Sequence, residues 1–273
     1  MIFEMGEVRI DLRPISSLLP HEETIPAQLE KLTRQIKDEG IQKDPLIVDR
    51  ESGTILDGMH RVAAFQRLGY QNVVCCLVDY SSRGIELKRW ARVYRTGKSG
   101  LIRSALEELG FSRQVPLAEA FDSLEDRTAG AAAINASGSW ITGKSSGLAG
   151  VFRTVRSFDT LAVTMGWQRG FAREDEIDVE LQDPDKLVLV VERIGKQDVL
   201  EAARTSRLFP CKTSLHTIDP RPVALDFPLQ DLDNGTQKSL GAFLAARKTK
   251  MLPSGSTYEG RRYKERLILL DKR

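Results

Sequence analysis

The chain has 273 residues, 41% apolar and 29% charged, with a formal net charge of +2. That length suits one large domain or two ordinary ones, each with a core of its own. A balance so near neutral argues for no nucleic-acid partner by itself, and no apolar run approaches membrane-spanning length.

The N-terminus lacks a basic region followed by an apolar stretch, so the expected setting is cytoplasmic and away from membranes. Three cysteines, Cys75, Cys76 and Cys211, show no C-x-x-C spacing, which argues against a zinc site. Cys75 and Cys76 sit in an apolar run and read as small core residues in a reducing environment.

In chain order, Pro26 opens a helix with Leu29, Leu32 and Ile36 on one face, and Gly40 stops it. Pro45 to Val48 reads as a strand, Glu51-Ser52-Gly53 as a turn, and Thr54-Ile55-Leu56 as a second strand. Asp57-Gly58 leads into a helix carrying Val62, Ala63, Phe65 and Leu68, with Gly69 at its C-terminal end. Val73 to Val78 is an apolar strand, followed by an aromatic and arginine-rich segment from Leu87 to Tyr94. Turn-like composition at Thr96 to Gly100 marks a domain boundary. Beyond it come a helix from Leu101 to Leu109, an Ala/Gly-rich stretch from Gly130 to Gly150, and a helix near Val151 to Thr160. A strong strand at Leu187 to Glu192 and a helix from Gln197 to Arg204 follow. The last forty residues, with Asn234-Gly235 and Pro253-Ser254-Gly255-Ser256, read as appended, partly flexible structure. Their basic residues, among them Arg247, Lys248, Lys250, Arg261, Arg262, Lys264, Arg266, Lys272 and Arg273, read as a solvated positive face.

The strand-to-helix turn at Asp57-Gly58-Met59-His60-Arg61 is the strongest candidate site. A helix start offers unpaired N–H groups and a positive dipole end, which suit a phosphate. Gly58 lets a ligand approach the backbone, His60 and Arg61 add donors, and Arg61 has the fork for a bidentate grip. Asp57 is placed to hold Mg²⁺ against phosphates. The same letters also spell an ordinary Asp-capped helix with a surface arginine.

Gly40-Ile41, Pro45 to Val48, Ile55 to Arg61, Phe65 and Leu68-Gly69 together resemble the ParB/sulfiredoxin superfamily. Within it, Leu19-Pro20-His21-Glu22 and Asp57-Gly58-Met59-His60-Arg61 are most similar to the free serine kinase group. Met59 stands where sulfiredoxin has its catalytic cysteine, which disfavours that branch. The resemblance implies an α/β (α+β) fold: a ParB/sulfiredoxin-like nucleotide-binding domain over 1–97, a second mixed α/β domain over 98–232 completing a cleft, and a basic extension over 233–273. It implies transfer of a phosphoryl group from ADP or ATP, with Mg²⁺, to the hydroxyl of free L-serine. The product, O-phospho-L-serine, would feed cysteine or related amino-acid biosynthesis. Glu22 would be the base, and Trp90, Lys212, Thr213 and His216 would hold the substrate. Ser214-Leu215 inside the Lys-Thr-x-x-His segment and the long basic extension depart from the group. Another small alcohol as acceptor stays open. So does a ParB-like, nucleotide-dependent DNA-binding protein, against which the absence of a helix-turn-helix speaks.

Gly138-Ser139-Trp140-Ile141-Thr142-Gly143-Lys144-Ser145 matches the P-loop pattern letter for letter. The stretch before it is a poor strand core, and no Asp follows the apolar strand ending at Glu192. Gly138-Ser139 is expected instead to turn between two strands.

Overall fold

A computed structural model of the protein describes residues 3–5, 8–96, 102–145, 147–234 and 236–272. The expected boundary residues 97–100, Leu101, Gly235 and Arg273 lie outside that set. The fold is mixed α/β, with several sheets and helices in two compact units. One unit comprises Met1–Leu87, Lys196–Cys211 and His216–Arg273, the other Lys88–Gly195 and Lys212–Leu215. The chain therefore does not divide into the three consecutive blocks expected, 1–97, 98–232 and 233–273. Residues 233–273 fold into the first unit, and the chain leaves that unit at Leu87, inside a strand rather than at the glycine-rich turn.

In the first unit, strands β1 (Phe3–Met5), β2 (Val8–Pro14), β4 (Leu46–Asp49), β5 (Ile55–Asp57) and β6 (Asn72–Val78) form a sheet in the order β1-β2-β6-β4-β5. A short strand, β3 (Ile41–Gln42), lies outside it. β4 and β6 run parallel, with Ile47 opposite Cys76, which requires a crossover, here made by β5 and a helix. That helix, α2 (Met59–Arg67), follows β5 directly; helix α1 (Pro26–Glu39) precedes β3. Pro26 opens α1 with its fixed φ, and Gly40 at φ 66° closes it in the left-handed region. Both cysteines of β6 are fully buried, and burial pushes the Cys76 thiol up to about 12.

β4 and β6 are buried almost throughout, so their polar neighbours must be satisfied internally. Gln42, 1% exposed, donates from Nε2 to the Val74 carbonyl at 2.7 Å and accepts from the Val74 amide at 2.9 Å. Its side chain acts as one more rung of the ladder.

The second unit is built on a sheet whose strands run in the order 168–173, 85–95, 186–191, 131–135, 138–142, 111–115. The aromatic and arginine-rich segment is the long strand Ile85–Arg95. Ala131, Ala132 and Ala133, which read as a poor strand core, form an interior strand with no exposure. Their low propensity is overridden because small side chains fit beneath the helices packed on that face. Gly138–Thr142 pairs with Ala131–Asn135 on one edge and Phe111–Val115 on the other. The P-loop letters thus begin in extended strand, and Lys144 precedes the helix Leu148–Thr164 by four residues. The turn before that strand falls at Ala136-Ser137, not at Gly138-Ser139 as expected, and Gly138 and Ser139 already pair in the ladder.

The expectation of a partly flexible C-terminal appendage is corrected. Arg247–Leu252 and Leu267–Lys272 pair antiparallel, and the latter pairs parallel with Arg221–Val223. Val223, Tyr263 and Leu267 form a small core with exposures of 2%, 7% and 0%. Gly255, at φ 84°, is turn punctuation within an ordered hairpin. Among the described residues, no helix is long and apolar enough to cross a membrane.

Replacing Gln42 with Leu removes both bonds to Val74. Unfolding free energy should fall by about 2–4 kcal/mol, read as a lower denaturant midpoint at unchanged slope.

Candidate active site

β5 ends at Asp57, Gly58 turns the chain, and α2 begins at Met59, so the strand-to-helix turn forms where the sequence places it. Gly58 has φ 115°, and a Cβ built there would collide with the Leu46 side chain, so no other residue fits without a shift. No side chain caps the start of α2. The first turn therefore lacks the carboxylate that an Asp cap would supply.

Asp57 is turned elsewhere. Its Oδ2 accepts from Arg221 Nη1 at 2.5 Å and from Arg61 Nη2 at 3.5 Å. Burial raises the Asp57 carboxyl pKa, but the charges of Arg221, Arg61 and Arg261 outweigh it and hold the group well below the usual carboxylate range. Its side chain keeps 40% of its exposure. A carboxylate that stays ionised, with one edge open, fits a magnesium ion held by one protein ligand and by substrate phosphates. Among the described residues, no group of three or more His, Cys, Asp or Glu could hold a metal by itself.

Arg221 is buried, and its Nε donates to Glu265 at 2.7 Å while Nη2 donates to the His216 carbonyl at 3.1 Å. Burial would lower its pKa, but Asp57 and Glu265 drive it further up. Arg61 spends Nη1 on the carbonyls of Asp44 and Pro45, at 2.9 and 2.8 Å. It braces the turn, and its fork is largely occupied. Asp44 in turn accepts from the Ala224 amide at 2.9 Å.

Glu22 lies in a loop stitched to the same turn. The Ile55 amide donates to the Leu19 carbonyl at 3.0 Å, His21 Nδ1 lies 2.8 Å from the Ile55 carbonyl, and His60 Nε2 accepts from the Ile25 amide at 2.8 Å. His60 therefore ties the Glu22 loop to α2. Glu22 is 9% exposed, and its carboxylate sits 3.9 Å from His21 Nε2.

His216 belongs to a buried cluster. Its Nε2 lies 2.7 Å from the Tyr80 hydroxyl, and its ring meets that of His21 edge-on at 5.6 Å. Burial lowers the pKa of His21 despite Glu22, and lowers that of His216 further because His21 is beside it. Both imidazoles are neutral in the fold. Lys196 donates to the Tyr80 carbonyl at 2.7 Å, and burial lowers its pKa.

Of the sequence-derived residues, Glu22, Asp57, Gly58, Met59, His60, Arg61 and His216 fall in the first unit, and Trp90, Lys212 and Thr213 in the second. Within the second, Lys212 Nζ stands 4.5 Å from the Trp90 ring centre, and the Trp90 amide donates to the Thr213 carbonyl at 3.3 Å. Lys212 holds the left-handed region at φ 57°, uncommon for a side chain of its size. Sequence reasoning missed Arg221, Glu265, Arg261, Tyr263 and Tyr80. Arg261 had been counted within the basic tail; the other four carried no motif.

No family model matches the chain. A curated ATP-dependent L-serine kinase of Staphylothermus marinus is 36% identical over 99 residues, which is 35% of this chain. The chain spans only 38% of that relative's length. An ADP-dependent L-serine kinase of Thermococcus kodakarensis is 22% identical over 80% of this chain and 90% of its own. Among solved structures, a free serine kinase variant in complex with ADP superposes with a TM-score of 0.69 at 19% identity, covering 82% of this chain and 93% of that one. The fold is that of the free serine kinases, and the similarity inferred from the turn and the Pro-His-Glu segment is met by these relatives.

Two histidines whose folded pKa lies below 6.5 contribute stability that is present above that value and lost as pH falls through it toward the folded pKa. The unfolding midpoint temperature should therefore drop between pH 7 and pH 5. A His21→Asn, His216→Gln double variant should show a flatter profile over the same window.

Proposed function

We propose that the chain is a kinase that transfers a phosphoryl group from ATP or ADP to the hydroxyl of free L-serine, giving O-phospho-L-serine. The observation that carries the reading is the uncapped start of α2 beside an ionised Asp57, with a buried glutamate loop stitched to the same turn. The names of the relatives from Staphylothermus marinus and Thermococcus kodakarensis support the same reading.

Phosphoryl transfer asks the protein chiefly for positioning and charge neutralisation. The amides at the start of α2 and the glycine at position 58 would cradle the donor phosphates. Glu22 would accept the serine hydroxyl proton as the oxygen bonds to the terminal phosphorus. The bond from that phosphorus to the bridging oxygen then breaks, and ADP or AMP leaves. Asp57 would hold a magnesium ion, which neutralises charge on the phosphates when bound. Met59 contributes its backbone to the cradle, and His60 keeps the Glu22 loop against the turn. His216 would act by shaping the wall behind Glu22. Trp90, Lys212 and Thr213 are assigned to the amino-acid acceptor. A cytoplasmic enzyme making phosphoserine would supply cysteine or related amino-acid biosynthesis.

Incubation with Mg²⁺, ATP or ADP, and a panel of alcohols including L-serine tests the reading. Phosphoserine is the expected product, and its absence with both donors would sink the proposal. Glu22→Gln should lower turnover by about 10²–10⁴-fold while nucleotide affinity holds.

A further inference from the structure

Asp57, Arg61, Arg221, Arg261 and Tyr263 help line an open pocket of about 160 Å³. That is roughly the volume of five liquid waters at ~30 Å³ each, and it falls short of the ~300 Å³ at which sites for whole small ligands begin. It has room for phosphate groups.

The three arginines of this pocket differ in what they have left to give. Arg221 is buried and committed through Nε, Nη1 and Nη2 to Glu265, Asp57 and the His216 carbonyl. Arg61 is held by two carbonyls and Asp57. Arg261 is exposed, and its guanidinium lies 4.6 Å from the centre of the Tyr263 ring. Among the described residues it makes no ion pair and no side-chain hydrogen bond. Tyr263, 7% exposed, fixes the platform on which Arg261 stacks, which cuts the ordering cost of using its fork. Arg261 is also close enough to Asp57 to lower that carboxyl's pKa, so its charge reaches the turn.

The geometry points to Arg261 as the residue that grips the polyphosphate of the nucleotide, from the C-terminal segment rather than from the strand-to-helix turn itself. This rests on the nucleotide reading above. It transfers to Arg261 the bidentate role that the sequence assigned to Arg61, and it makes the basic C-terminal hairpin part of the donor site.

The test is calorimetric titration of the full chain with ADP, ATP, adenosine, inorganic phosphate and O-phosphoserine. Losing a charge-assisted pair to phosphate, Arg261→Ala should weaken ADP and ATP by about 10- to 100-fold and leave adenosine unchanged. Arg261→Lys should recover part of that loss, because charge returns without the fork. Thermal unfolding of both variants should match the parent, since Arg261 is exposed. ADP and ATP binding as tightly to Arg261→Ala as to the parent would overturn the inference and leave the nucleotide reading standing. A loss confined to O-phosphoserine or inorganic phosphate would also overturn it, assigning the pocket to a product. A parent chain that binds neither ADP nor ATP would remove both together.

Discussion

Arg221 is a buried cation held between two carboxylates, and the candidate site hangs on it. Without Asp57 and Glu265, burying a guanidinium at this depth would cost several kcal/mol; with them, its charge is compensated on both sides. The pairing also acts on Asp57, which stays ionised beside the turn because Arg221 outweighs the burial that would protonate it. Glu265 comes from the C-terminal segment, Arg221 from the strand that pairs with it, and Asp57 from the end of β5. One guanidinium thus joins distant parts of the chain into a single electrostatic unit.

Around that centre, the turn is held by residues whose polar groups are engaged within the protein. Arg61 braces the carbonyls before β4, and His60 anchors the loop bearing Glu22. A rigid turn keeps backbone amides at fixed positions without further ordering when a phosphate arrives. The neutral His21 meets His216 edge-on, His216 tilts against Tyr80, and the three rings pack together at neutral pH.

What could be read from the sequence was local. Pro26, Gly40 and Asp57-Gly58 announce helix ends through backbone geometry that each residue imposes on its own neighbours. The turn and its placement followed from those signals, and the likeness of Pro-His-Glu and Asp-Gly-x-His-Arg to the serine kinases gave the fold. What could not be read depends on partners far along the chain. Arg221 and Asp57 are 164 residues apart, and no spacing rule links them. The C-terminal strands were obscured because a run of basic residues reads as solvated surface, although Leu267 and Leu270, on opposite faces of one strand, are both fully buried. The alanine strand was misjudged for the opposite reason: its propensity is weak, and only the helices packed on it make small side chains an advantage.

The discontinuous first unit has a consequence during synthesis. Translation delivers β5 and Asp57 early, then the whole second unit, and only afterwards Arg221, Arg261 and Glu265. A nascent chain can complete the second unit while the first still lacks the arginine that pairs with Asp57. Until the final residues emerge from the ribosome, the turn is formed in outline but electrostatically incomplete. A chain cut just before Glu265 would keep Asp57, Arg221 and Arg261 and yet leave the buried guanidinium with one carboxylate instead of two.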